Sequence, residues 1–371
     1  MDEYQKLLIE AEELDDGPGK VALAERAVRV ADTQQHFQRQ FESRQYLIDA
    51  AFSGGIPDRL FVAISWCLAM LDKQEEPPDW LDRDRLLWQC KLAISWMSAY
   101  HEVAVSQYDT LVEDSIARYE QHGASPRSVY QVAMIGQFFM GRRDVGERYH
   151  DLANQSAYDM FADTRAWEAY FEAEYLFATG QDAAGLKLLE PWLRNPRAAA
   201  DAYPYFARKA LLLLLRERRA GEALHHQRLA CQQMGMNPRF LAHAAYHIMF
   251  LTLRRDFAGA IRMLGRHLPL AMASSNPASR MYMWCGASLA LRLTQRCGAS
   301  SGLRLVLPDA VRAQLSADDG DDPYTQAVAW FERELAVVVE KFNQRNGNQH
   351  VTGLIEKIRA YEELMLDRPL T

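Results

Sequence analysis

Three short patterns in the sequence place residues at spacings that could support chemistry. His243 and His247 are four positions apart, the spacing at which two imidazoles on one helix can share a metal ion. Glu168 and Glu172 have the same spacing and would suit an acid and base pair. Residues 17–20, Gly-Pro-Gly-Lys, resemble the end of a phosphate-binding loop.

None of the three patterns predicts an active site. No third metal ligand accompanies the histidine pair, which favours packed or groove-lining imidazoles over a zinc site. The two glutamates lie among aromatic residues, as on a solvated or peptide-binding helix face. The loop at 17–20 lacks its earlier glycine, since Leu14 stands there, and Val21 replaces the required Ser or Thr. We therefore expect a non-enzymatic protein with no cofactor and no metal.

The elements that must position these residues repeat every 38 residues or so between positions 125 and 273. Each unit contains a short polar stretch, a small residue and then an apolar helix. The small residues Gly146, Gly185, Ala223 and Ala260 are 39, 38 and 37 positions apart. Only Gly or Ala lets two helices approach closely just after a turn. This period predicts stacked antiparallel helix hairpins, because one hairpin cannot bury its apolar face alone.

The units resemble tetratricopeptide-type repeats, which place Gly before the turn, Ala early in the second helix, and Leu further along. The matching positions are Gly180, Gly185 and Leu189 in one unit and Asp256, Ala260 and Leu264 in another. The period exceeds the usual length of about 34 residues, and the regular closing proline is missing, so the array is degenerate. The resemblance implies an all-α, right-handed superhelical solenoid that binds proteins or peptides and carries no chemistry.

The repeat array divides the chain into three predicted parts. Residues 1–73 are interpreted as helical hairpins that cap one end, and residues 82–296 as the repeat array. Residues 297–371 are interpreted as an irregular loop, with an acidic run at 318–322, followed by two capping helices. No segment has the alternating period of a strand, so the predicted fold class is all-α.

Composition indicates a folded protein in a reducing compartment. Hydrophobic residues make up 49% of the chain and charged residues 25%. No apolar run approaches the roughly 20 residues of a membrane span, and the first residues lack the order of a signal peptide. The five cysteines are scattered singly, without metal or redox spacing. We expect a cytoplasmic protein with no membrane partner.

The stretch 201–300 is strongly basic, although the net charge of the chain is −7. It contains 14 Lys and Arg against 4 Asp and Glu. Arginine pairs fall at the hairpin turns, where stacking would align them into a row. The row consists of Arg142, Arg143, Arg218, Arg219, Arg254 and Arg255. These cations either offset the helix macrodipoles alone or form an edge that holds an acidic partner, from this chain or another.

Aromatic residues are concentrated in the first helix of each unit, and first helices line the concave surface of arrays of this kind. We therefore expect a groove that binds a peptide or a helix. Its predicted residues are Tyr170, Tyr203, Arg208, His243, Tyr246 and His247.

The leading functional interpretation is an interaction scaffold, acting as an adaptor, chaperone or regulator, whose partner is a protein or peptide. One alternative is an anion- or nucleic-acid-binding module that uses the arginine row. The sequence pI of about 5.8 disfavours nucleic acid. Another alternative is a peptide-sensing bacterial signalling regulator, although no helix-turn-helix DNA reader is found near the start of the chain. The sequence is also compatible with a homo-oligomer.

Overall fold

The computed structural model describes residues 1–319 and 322–367, and over these residues the chain is all-α, with no strand. Two compact units are present. Unit 1 comprises Met1–Gly136, Asp144–Ala162 and Asn237–Arg239, and unit 2 comprises Gln137–Arg143, Asp163–Met236 and Phe240–Thr371. The interruption predicted between 73 and 82 lies inside unit 1, and the one after 296 lies inside unit 2. The three-part division therefore stays a prediction.

The first eight helices are α1 Glu3–Glu12, α2 Pro18–Gln34, α3 Phe37–Ser53, α4 Pro57–Leu71, α5 Arg83–Met97, α6 Val105–Gln121, α7 Arg127–Phe139 and α8 Arg143–Gln155. The next are α9 Arg165–Ala178, α10 Asp182–Arg194, α11 Pro196–Ala199, α12 Tyr203–Arg216, α13 Ala220–Met234, α14 Leu241–Leu253 and α15 Phe257–Ala273. The last are α16 Pro277–Arg296, α17 Asp309–Arg312, α18 Pro323–Asn346 and α19 His350–Arg359, followed by a 3₁₀ turn at Ala360–Leu364. None of the described helices is long and apolar enough to cross a membrane.

Unit 1 packs its helices around an aromatic core. The Phe41 ring lies 6.1 Å from that of Trp66 and 5.9 Å from that of Trp80, measured between centroids. A polar tie joins α3 to α5, where Gln89 Nε2 donates to Asp49 Oδ1 at 2.8 Å. All the predicted site residues lie in unit 2.

The turns of unit 2 share one backbone conformation. Gly141, Gly180, Arg218 and Arg255 all have positive φ, at 75°, 84°, 61° and 65°. The next residue in each case donates its backbone N–H to the carbonyl five positions earlier, at 2.7–2.9 Å. This is the hydrogen bond that closes a helix in a left-handed cap. Because these four positions are 39, 38 and 37 apart, the predicted repeat of hairpin turns is present in the structure.

The small residues lie at close helix contacts, as predicted from their spacing. Ala223 and Ala260 are fully buried, and Gly146 and Gly185 are also buried. A Cβ atom on Gly185 would lie 2.5 Å from the Phe177 ring of the preceding helix. A side chain at this position would therefore push α9 and α10 apart.

Successive hairpins of unit 2 stack through their first helices. The hairpins are α9 with α10, α12 with α13, and α14 with α15, while α12, α14, α16 and α18 pack in that order on one another. α16 approaches α14 closely at Gly286, where a Cβ atom would lie 3.1 Å from the backbone oxygen of Ala245 in α14. The first helices therefore form a continuous layer.

The last helices extend this layer. An apolar stripe of α18 is buried at Phe331, Leu335, Val338 and Phe342, and half-buried at Val328. Phe331 packs on Trp284 of α16 with a centroid distance of 5.4 Å. The described part of 298–322 holds only short helical turns, in agreement with the predicted irregular loop. Gly320 and Asp321 of its acidic run, and residues 368–371, lie outside the described residues.

Candidate functional site

Equivalent positions in successive first helices form ladders of side chains. Tyr170, Arg208, Tyr246 and Tyr282 are 38, 38 and 36 positions apart and lie on α9, α12, α14 and α16. The Arg208 guanidinium lies 5.3 Å from the Tyr246 ring centroid and 6.0 Å from that of Tyr282. We call these four residues the arginine–tyrosine ladder. At such distances the ring faces attract the cation.

A second ladder runs beside it. Trp167, Tyr205 and His243 are 38 positions apart, and their rings meet edge to face. Centroid distances are 4.8 Å between Trp167 and Tyr205, and 4.5 Å between Tyr205 and His243. Both ladders arise because the repeat places the same helix position in register from one hairpin to the next.

An ion pair lies next to the arginine–tyrosine ladder. Lys209 Nζ is 2.8 Å from Glu174 Oε2, and the two side chains are 21% and 12% exposed. Burial opposes the charge on Glu174, but Lys209 and Arg208 lower the pKa of this carboxyl below its usual value. Burial lowers the pKa of Lys209, while Glu174 acts to raise it. The surroundings of Arg208 are therefore polar and charged although little solvent reaches them.

The tyrosines of the ladder stay protonated across the physiological pH range. Burial raises the pKa of Tyr282 to about 12 and the pKa values of Tyr170 and Tyr246 well above 10. Their hydroxyls can therefore donate hydrogen bonds. The ladder combines a permanent cation with three neutral donors, a set suited to a carboxylate or a phosphate.

One buried polar atom of the ladder, Arg208 Nε, has no hydrogen-bond partner among the described residues. Buried donors in folded proteins are normally hydrogen-bonded, so Arg208 Nε is a donor that a bound group or a water molecule can satisfy. Arg208 also differs from the arginine row in its position, because it lies inside α12 and not at a turn.

The arginine row is largely engaged within the chain. Arg219 forms ion pairs with Glu190 at 2.6 Å, Glu222 at 2.8 Å and Glu217 at 3.0 Å. Arg254 is 7% exposed and lies 3.6 Å from Asp256.

Other members of the row are placed by the turns themselves. Arg255 Nε donates to the backbone oxygen of Leu366 at 2.6 Å. Arg218 is exposed, Arg142 follows the left-handed Gly141, and Arg143 begins α8. The row is thus a set of helix ends, and its described contacts include one with a distant segment of this chain.

Three predicted groove residues lie in the interior instead, which corrects their placement on an accessible surface. Tyr203 is fully buried, and its hydroxyl is 2.9 Å from His226 Nδ1. His247 is also fully buried, with Nδ1 3.3 Å from Cys231 Sγ, and burial lowers its pKa to about 3. His243 is 3% exposed. Tyr203, His243 and His247 face neighbouring helices because these first helices bury more than one stripe.

The remaining predicted groove residues, Tyr170, Arg208 and Tyr246, are brought together in the ladder, where Tyr170 is itself buried and the other two are half-buried. Glu174, Lys209 and Tyr282 were not predicted from the sequence. Tyr282 comes 36 positions after Tyr246, so a strict 38-residue period would have pointed to Trp284 instead. Within the described residues no cluster of three or more His, Cys, Asp and Glu is arranged to hold a metal ion.

Comparison with known proteins found no matching family model, no matching curated protein and no matching solved structure.

Proposed function

We propose that this protein is a non-enzymatic scaffold that binds a segment of another protein on the first-helix layer of unit 2, with Arg208 as the charged anchor. The observation that supports this proposal is the arginine–tyrosine ladder, in which Arg208 lies between tyrosines while its Nε has no partner. Arginine and tyrosine are the residues that most often dominate the binding energy of protein interfaces.

The proposed partner is a segment with carboxylates next to aromatic or apolar residues. A carboxylate would pair with Arg208, and apolar side chains would pack against the half-buried rings of the two ladders. These half-buried rings are Trp167, Tyr205, Tyr246 and Tyr282. Residues 201–300 contain 14 basic and only 4 acidic residues, and this charge attracts an acidic partner at long range. In the same proposal the hairpins form a right-handed, tetratricopeptide-like array, and the protein acts in the cytoplasm.

Nucleic acid is the less favoured ligand. Arg219, Arg254 and Arg255 already contact groups of this chain, so the row offers few arginines for a phosphate backbone. A nucleic-acid ligand would also bind with a steep salt dependence.

Peptide selection on the purified full chain tests the proposal. Random dodecapeptides displayed on phage are selected against the wild type, Arg208→Gln and the matched control Arg218→Gln, which removes an exposed arginine outside the ladder. We expect the wild type and Arg218→Gln to enrich acidic peptides with aromatic or leucine neighbours, and Arg208→Gln to enrich none. Equal enrichment by Arg208→Gln, or selection of no peptide by the wild type, would overturn the proposal, as would tighter binding of a single-stranded oligonucleotide in place of peptides.

A further inference from the structure

Residues 360–367 of this chain lie against the first-helix layer of unit 2. The 3₁₀ turn at Ala360–Leu364 packs on α12. Burial raises the pKa of Tyr361, and Asp182 raises it further. Tyr361 in turn adds to the raised pKa of Tyr246 in the ladder. A segment of the chain itself therefore borders the site proposed for a partner.

An acidic side chain of this segment is held by two arginines. Glu362 Oε2 is 2.8 Å from Arg292, and Glu362 Oε1 pairs with Arg296. Both arginines lie near the end of α16. Both arginines belong to the basic stretch 201–300, although neither is a member of the arginine row predicted to hold an acidic partner.

The backbone of the segment is also recognised. Leu366 donates its N–H to the backbone oxygen of Leu253 at the end of α14, at 2.9 Å, and its own carbonyl accepts from Arg255 Nε at 2.6 Å. Any peptide in an extended conformation can make these two bonds, because they involve only main-chain groups of the segment itself. Arg255 thus links the arginine row to peptide recognition.

The attachments of 360–367 are few and partly exposed. The Arg292 and Arg296 side chains are 44% and 52% exposed, and ion pairs of this kind contribute little to stability. By contrast, α19 buries Val351, Ile355 and Ile358. The helix therefore anchors the segment, while the residues after Arg359 are only half-buried or exposed.

We propose that residues 360–367 are an intramolecular ligand of the first-helix layer, and that the protein's partners carry a segment of the same chemistry, with Tyr, a carboxylate and Leu spaced as in Tyr361, Glu362 and Leu366. This inference rests on the proposed function. A partner segment binds by displacing 360–367, which the tether keeps at a high effective concentration, so the wild type binds free peptide weakly.

The test compares two full-length charge reversals. Glu362→Arg places a cation beside Arg292 and Arg296 and should release the segment, whereas Glu363→Arg changes an exposed neighbour by the same charge. The probe is a fluorescein-labelled synthetic peptide with the sequence of residues 358–367, titrated by fluorescence anisotropy. Hydrogen–deuterium exchange of the Leu366 amide reports independently whether the segment has been released.

We expect Glu362→Arg to exchange the Leu366 amide at least tenfold faster than the wild type and to bind the probe at least tenfold more tightly. Glu363→Arg should match the wild type in both measurements. Unchanged exchange in Glu362→Arg, or faster exchange without tighter probe binding, would overturn the inference. The phage selection decides the proposed function separately, because multivalent display recovers even the weak peptide binding of the wild type and its outcome depends on Arg208 and not on Glu362.

Discussion

Each turn of the repeat is closed by one residue in the left-handed backbone conformation. Glycine occupies this position at 141 and 180, but arginine does so at 218 and 255. A residue with a Cβ atom pays roughly 1–2 kcal/mol in this conformation. Arg255 has a compensating contact with Leu366, whereas Arg218 is exposed.

Replacing Arg218 with glycine should therefore stabilise the protein. We expect Arg218→Gly to raise the free energy of unfolding by about 0.5–1 kcal/mol, since relief of the strain exceeds the added flexibility of glycine in the unfolded chain. Urea denaturation measures this change. The reciprocal variant Gly180→Arg, which meets no neighbour within 4 Å, should lose a similar amount. A lower unfolding free energy for Arg218→Gly would contradict this explanation of the turns.

Groove residues could be predicted from the sequence where the repeat period relates their positions. They could not be predicted where burial decides whether a side chain faces the groove or the core. Tyr170, Arg208 and Tyr246 were predicted as groove residues and lie together in one ladder. Tyr203 and His247 were placed in the same groove, yet they are fully buried. A single helix carries aromatic residues on both its core and its outer side, and the sequence pattern alone does not separate the two when a helix is buried on several sides.

At the scale of elements, the hairpin boundaries followed closely from turn and cap signals. Gly185 lies early in α10 and Ala223 early in α13, as the predicted order of turn, small residue and apolar helix requires. The docking of 360–367 could not be predicted, because its contacts with Arg292, Arg296 and Leu253 join residues far apart in sequence and leave no periodic trace.

The close contact between paired helices gives a prediction at this scale. Gly185→Ala should lower the free energy of unfolding by about 1–3 kcal/mol, because the new methyl group overlaps the Phe177 ring. The matched control is Gly221→Ala in α13, where nothing lies within 4 Å of the added carbon. This control should gain up to about 1 kcal/mol from improved helix propensity. Thermal or urea denaturation of both variants measures the difference, and equal effects would show that α9 and α10 do not pack as described.

At the scale of the whole molecule, the chain contains both a basic stretch and acidic segments that can form ion pairs with it. Residues 201–300 contain 14 basic and 4 acidic residues, and Glu362 is one acidic group that this stretch holds. A protein built in this way can recognise an acidic segment supplied by the same chain or by a partner. Ion pairs of the kind seen at Glu362 weaken with salt, so competition between the two segments should be sensitive to ionic strength.

The most direct test of the central claim is photo-crosslinking of the 358–367 peptide, with a benzophenone side chain in place of that of Tyr361, to full-length Glu362→Arg. We expect crosslinks, located by mass spectrometry, within α12, α14 or α16 of the first-helix layer, which contain Arg208, Tyr246 and Arg292. Yields should be much lower in Glu363→Arg, where the intramolecular segment stays bound. Crosslinks confined to other parts of the chain, or equal yields in both variants, would contradict a peptide-binding site on the first-helix layer.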